Sequence, residues 1–125
     1  MSSFPWTFSP SEFACKCGGD CEPDMDRIRH LAWVLHAIRE RTGGPIRVNS
    51  GYRCPEHNAK VGGVANSQHV QSRAADIVVD GANPRDVAAI INMMMIEGEI
   101  PNGGIGNYST FTHVDIRHKP ARWDG

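Results

Sequence analysis

Asn66-Ser67-Gln68-His69-Val70-Gln71-Ser72-Arg73-Ala74-Ala75-Asp76-Ile77 is the stretch on which the fold turns. It sets His69 and Asp76 seven residues apart, across a polar loop that runs into the apolar segment Ile77, Val78 and Val79. Helical metal motifs place two imidazoles one turn apart, whereas here Ser, Gln and Arg fill the gap and the chain turns β-rich. Ligands at the two ends of a loop converge on one ion only when a third arrives from elsewhere. Thr112-His113-Val114-Asp115-Ile116-Arg117, a late strand, is the natural donor. Two His and one Asp leave a fourth tetrahedral position for water, which is what separates catalytic from structural zinc.

Working outward, Ala75 to Val79 reads as a strand with Asp76, Val78 and Asp80 on one face and Ala75, Ile77 and Val79 on the other. Asp76 must then face something polar, because burying it unpaired is costly. Upstream, Ile46 to Ser50 alternates between Pro and Gly boundaries and feeds the turn Ser50-Gly51-Tyr52-Arg53. Gly62-Gly63 and the polar run after it make a long irregular approach to His69, and such loops are usually functional. Downstream, Asn83-Pro84-Arg85-Asp86 opens a helix whose buried stripe is Val87, Ile90, Ile91, Met94 and Met95, ending at Gly98. Gly103 to Tyr108 and Thr112 to Arg117 form a β-hairpin across a tight Ser-Thr turn. In its second strand His113, Asp115 and Arg117 share one face, and Val114 and Ile116 the other.

Nearer the start, Ser9-Pro10-Ser11-Glu12 is a capping box that directs Phe13 to the core. Met25, Ile28, Leu31, Ala32, Leu35 and Ile38 recur every three or four residues, an amphipathic helix stopped by Gly43-Gly44-Pro45. Helices mixed with strands and a closing hairpin predict an α+β fold with a largely antiparallel sheet.

The 125 residues fit one domain, 1–125, large enough for an ordinary core. Thirteen basic and fourteen acidic residues give a net charge of -1, which offers no argument for the electrostatic grip that nucleic acid or an anionic membrane requires. The longest apolar run, Ile90 to Ile96, is broken by Asn92 and falls well short of the roughly 20 residues that span a bilayer. No basic and apolar leader is visible in MSSFPWTFSPSEF, so the expectation is a chain made in the cytoplasm that acts outside only after lysis or delivery. Cys15, Cys17, Cys21 and Cys54 are open to three readings: disulfides, a structural zinc site, or free thiols. His30, His36, His57 and His118 lack ligand-spaced partners and read as solvated or capped side chains, and Asp80 and Glu56 as surface charges.

Ser50-Gly51-Tyr52-Arg53, Asn58, Gly62-Gly63, Ser67-x-His69 with Ala74-x-Asp76, Gly104-Ile105-Gly106 with Tyr108, and His113-Val114-Asp115 with Arg117 occur in that order. Together they resemble the zinc D-Ala-D-Ala carboxypeptidases of the M15 peptidase family, especially its short phage and bacterial murein-peptidase branch. The resemblance runs from about Phe8 to Trp123. It implies the fold shared with hedgehog signalling domains and lysostaphin-type peptidases, a small, mostly antiparallel sheet bearing the metal with helices packed on one side. It also implies that His69, Asp76 and His113 bind Zn2+, that Arg53 faces the substrate carbonyl, and that Ser67 contacts substrate or orients a ligand. The implied substrate is a peptidoglycan stem peptide, cut by a carboxypeptidase or a murein endopeptidase, in the setting of a lysis enzyme (endolysin) or a virion-associated peptidase. A guanidinium beside a developing oxyanion suits that chemistry, where one donor is worth about 3 kcal/mol.

Two positions depart from the family pattern. Relatives carry Glu three residues before the last zinc His, and here that residue is Thr110. Asp115 is the expected substitute as general base, with the role of fixing a ligand imidazole as its alternative. Ser72 stands where the family has Gly, so a positive φ there would strain the loop. Both departures favour the alternative function, a zinc-stabilised module that holds murein or a protein without turnover.

Overall fold

The computed structural model describes residues 3–125, so Met1 and Ser2 lie outside the description. Three helices form where caps and apolar spacing predict, plus one more. Helix α1, Met25–Thr42, starts at Asp24, whose carboxylate accepts the amides of Asp26 and Arg27, and stops at Gly43 in the left-handed region. It buries Ile28, Leu31, Ala32, Val34, Leu35 and Ile38. Helix α2, Pro55–Lys60, is a short element that the sequence marks only by Pro at its first position. Helix α3, Pro84–Ile96, is capped by Asn83 accepting the Asp86 amide, and it buries Val87, Ala88, Ile91, Met94 and Met95, while Ile90 is only half-buried. Pro10–Phe13 makes a 3-10 turn closed by the Ser9–Glu12 capping box and buries Phe13.

Five strands, β1 (Ile46–Ser50), β2 (Ala74–Val79), β3 (Gly104–Asn107), β4 (Thr112–Asp115) and β5 (Ala121–Asp124), form one sheet in the order β1-β2-β4-β3-β5. Every neighbouring pair is antiparallel except β3 and β5, which run parallel. The α+β class and the largely antiparallel sheet match the expectation, with β5 as an added edge strand beyond the hairpin. Ala75, Ile77, Val79, Ile105 and Val114 turn one face of the sheet into the core, where they meet side chains of α1 and α3 such as Leu35, Ile38, Ile91 and Met94. Because side chains alternate along a strand, the opposite face receives Asp76, His113 and Asp115. No helix among the described residues is long and apolar enough to cross a membrane.

Strand register places the functional side chains. Asp76 on β2 pairs with His113 on β4, His113 with Gly106 on β3, and Gly106 with Trp123 on β5. One row across four strands therefore carries a carboxylate, an imidazole, a gap and an indole. A second row runs Ala74, Asp115, Gly104, Ala121. The two glycines of Gly104-Ile105-Gly106 explain themselves here. A Cβ on Gly106 would lie 2.7 Å from the Trp123 ring, and one on Gly104 would run into the Asp115 carboxylate.

Candidate metal centre

Three donor atoms meet on the open face of the sheet. Asp76 Oδ1 lies 3.2 Å from His69 Nε2 and 3.0 Å from His113 Nδ1. All three atoms lie within 4.8 Å of one another. Ligands at about 2.0–2.1 Å from a tetrahedral zinc stand about 3.3 Å apart, so the spacing suits that ion. Loop 66–73, which delivers His69, is fastened to the start of α1: Arg27 Nη1 donates to the Gln71 carbonyl at 3.1 Å, and the Asp24 amide donates to Ser72 Oγ at 3.0 Å.

Each imidazole is turned by a bond at its far nitrogen. His69 Nδ1 lies 2.7 Å from the Gly51 carbonyl, which only accepts, so Nδ1 carries the proton and Nε2 presents a lone pair. His113 Nε2 lies 2.8 Å from Asp115 Oδ2, so the carboxylate holds that proton and Nδ1 faces Asp76. Two imidazole lone pairs and a carboxylate oxygen thus point at one spot, where they repel unless a cation stands between them. This donor set fits zinc with three protein ligands and one open position. Burial works to raise the Asp76 carboxyl, yet the neighbouring His113 and His69 rings hold it well below the usual carboxylate range. His113 is affected the opposite way: burial works to lower its proton affinity, and Asp115 and Asp76 more than reverse that.

The donors open into a cleft of about 680 Å3. One wall is aromatic: Tyr108 stacks on Phe111 with centroids 4.4 Å apart, and Trp123 packs against the His113 ring at 5.0 Å. Trp123 Nε1 donates to the Tyr108 hydroxyl at 2.9 Å, which leaves the phenolic proton for another acceptor. Arg53 and Ser67 line the same cleft. Ser67 Oγ accepts from the His69 amide at 3.1 Å and from Arg53 Nη2 at 3.4 Å, tying the arginine to the ligand loop. Arg53 Nε is buried and finds no hydrogen-bond partner among the described residues.

Residues 6–115 match the family profile of peptidase M15. The chain belongs to the M15 peptidase family. A zinc D-Ala-D-Ala carboxypeptidase from Streptomyces albus G is 36% identical over 85 residues, covering 66% of this chain and 32% of the relative. This M15 chain thus spans about a third of the length of that curated relative. Membership accounts for the α+β fold and names Zn2+ as the ion suited to the His69, Asp76 and His113 donors.

Within the M15 site, the two departures resolve differently. Asp115 does not fit the role of general base. It is fully buried, does not line the cleft, and is occupied by His113 Nε2, the Gly104 amide and the Arg117 guanidinium, whose Nη2 lies 2.7 Å away. Its geometry is that of a carboxylate turning His113, and although burial opposes the anion, His113 and Arg117 hold it below the usual range. Ser72 does take the strained conformation, with φ 60, as the single non-glycine residue in that region among those described. Its buried hydroxyl compensates by accepting the Asp24 amide. Thr110 is exposed in the β3–β4 turn. Trp123 and the Gly51 carbonyl escape sequence reading, the first because its strand is unannounced, the second because a backbone atom leaves no trace in composition.

Proposed function

We propose that the protein is a zinc-dependent peptidase that hydrolyses a peptide bond in peptidoglycan stem peptides, acting on wall material reached after lysis or by delivery. The observation that carries this reading is the convergence of His69, Asp76 and His113, each imidazole turned by a separate acceptor, at the floor of a cleft that also holds Arg53. Zinc held by these three side chains would polarise the scissile carbonyl and lower the pKa of a water toward about 7. Arg53 supplies the other half of the charge stabilisation: its guanidinium, which lines the cleft, donates to the carbonyl oxygen as negative charge develops there. Ser67 keeps that guanidinium in place, and the Tyr108 hydroxyl, already accepting from Trp123, donates to the bound peptide. Asp115 turns His113.

Asp76 is the one carboxylate among the described residues that line the cleft. Beside it the cleft offers no second carboxylate to serve as the placed general base that is worth roughly 10²–10⁴-fold. That same feature favours the second reading, a zinc-stabilised module that binds murein or a protein without turnover. Incubating the zinc-loaded protein with purified murein and, separately, with a free stem pentapeptide, and reading products by mass spectrometry, separates the possibilities. Loss of a terminal D-Ala from the pentapeptide identifies a carboxypeptidase, and release of cross-linked fragments from murein identifies an endopeptidase. Binding to murein with no product from either substrate overturns the enzyme reading.

A further inference from the structure

A second constellation of metal-ligand type lies away from the cleft. Cys15, Cys17 and Cys21 come from the loop after Phe13, and Cys54 is the residue that caps α2 directly after Arg53. Cys15 and Cys54 lie 39 positions apart in the chain, yet their sulfurs stand 3.8 Å apart, and those of Cys17 and Cys21 stand 3.1 Å apart. All four sulfurs lie within 4.8 Å of one another. Four thiolates at about 2.3 Å from a tetrahedral zinc stand about 3.8 Å apart, so the cluster already has nearly the size of that coordination shell. It is one group of four, not two separated pairs, and all four cysteines are free.

Backbone amides already point at three of the four sulfurs. The Gly19 amide donates to Cys17 Sγ at 3.2 Å, the Cys54 amide to Cys15 Sγ at 3.3 Å, and the His57 amide to Cys54 Sγ at 3.5 Å. Hydrogen bonds to the charged form favour it, and the thiolate is the form that binds metal. We propose that Cys15, Cys17, Cys21 and Cys54 are a second, structural metal site that takes one zinc ion in a closed four-sulfur shell. It fastens the 15–21 loop to the chain position next to Arg53, and it is independent of the peptidase reading. A closed shell leaves no position for substrate, so its contribution is to folding and to holding Arg53 in place.

The test is metal content of the full-length protein, purified under reducing conditions without chelator, by elemental analysis and native mass spectrometry. Two zinc ions are expected in the wild type, one in His69→Ala, and one in the double variant Cys17→Ser/Cys21→Ser, which alters only the exposed end of the cluster. Cobalt added to the metal-free wild type reads the site without any substitution, since four sulfurs give an intense sulfur-to-cobalt charge-transfer band. That band persists in His69→Ala and disappears in the cysteine variant. One zinc in the wild type with four freely reactive thiols, a mass showing two disulfides, or iron in place of zinc overturns the proposal.

Discussion

Asp115 has all of its hydrogen-bonding capacity committed: His113, the Gly104 amide and Arg117 take both oxygens, and no surface is left exposed. An Asp115→Asn change keeps the shape but weakens the hold on the His113 proton. Zinc affinity at the cleft should fall by roughly 10–100-fold, as for other groups behind a metal ligand. A competitive chelator titration measures this, and unaltered zinc affinity with lost turnover would return Asp115 to the role of base. Ser72 supplies a second residue-scale prediction. Ser72→Ala keeps the strained φ and abandons the Asp24 amide, so urea denaturation should show a loss of about 1–3 kcal/mol. Ser72→Gly gives up the same bond but relieves roughly 1–2 kcal/mol of strain, and should fall between wild type and alanine. The convergence of His69, Asp76 and His113 was legible from residue type and spacing. The role of Asp115 was not, because same-face placement says nothing of depth, and the depth comes from the missing side chain of Gly104.

At the level of elements, the site depends on register. Asp76 meets His113 because β2 and β4 pair antiparallel at those positions, and a slip of one residue would turn one of them into the core. Gly106→Ala should push the Trp123 indole off the His113 ring, since the new methyl would sit 2.7 Å from it. The expected result is a shifted Trp fluorescence spectrum and a raised KM, with one zinc still bound at the cleft. Loss of that zinc instead would show that Trp123 holds the ligands and does not merely wall the cleft. Helices α1 and α3 were legible because caps and a three-to-four-residue period announce them, and β1 because it alternates between Pro and Gly. Strand β5 was not: its four residues bury little, and its partner β3 lies across an intervening strand in sequence, a pairing no local pattern encodes.

For the whole molecule, the core and the metal centre occupy opposite faces of one sheet, so stability and metal binding should separate. Ile77→Ala removes a fully buried side chain from the helix side and should cost about 2–5 kcal/mol, while zinc stoichiometry of the folded protein is unchanged. Removing zinc should leave the far-ultraviolet circular dichroism of α1 and α3 in place and lower Tm. Zinc at 1,000 times its Kd contributes about 4 kcal/mol per site. A chain that unfolds outright on chelation would mean that the core does not stand alone. The most direct measurement is an anomalous difference map at the zinc edge from crystals of the zinc-loaded protein. A peak within about 2.2 Å of His69 Nε2, Asp76 Oδ1 and His113 Nδ1, with no fourth protein atom in reach, is expected. No peak there, or a fourth protein ligand closing the position toward the cleft, contradicts the assignment.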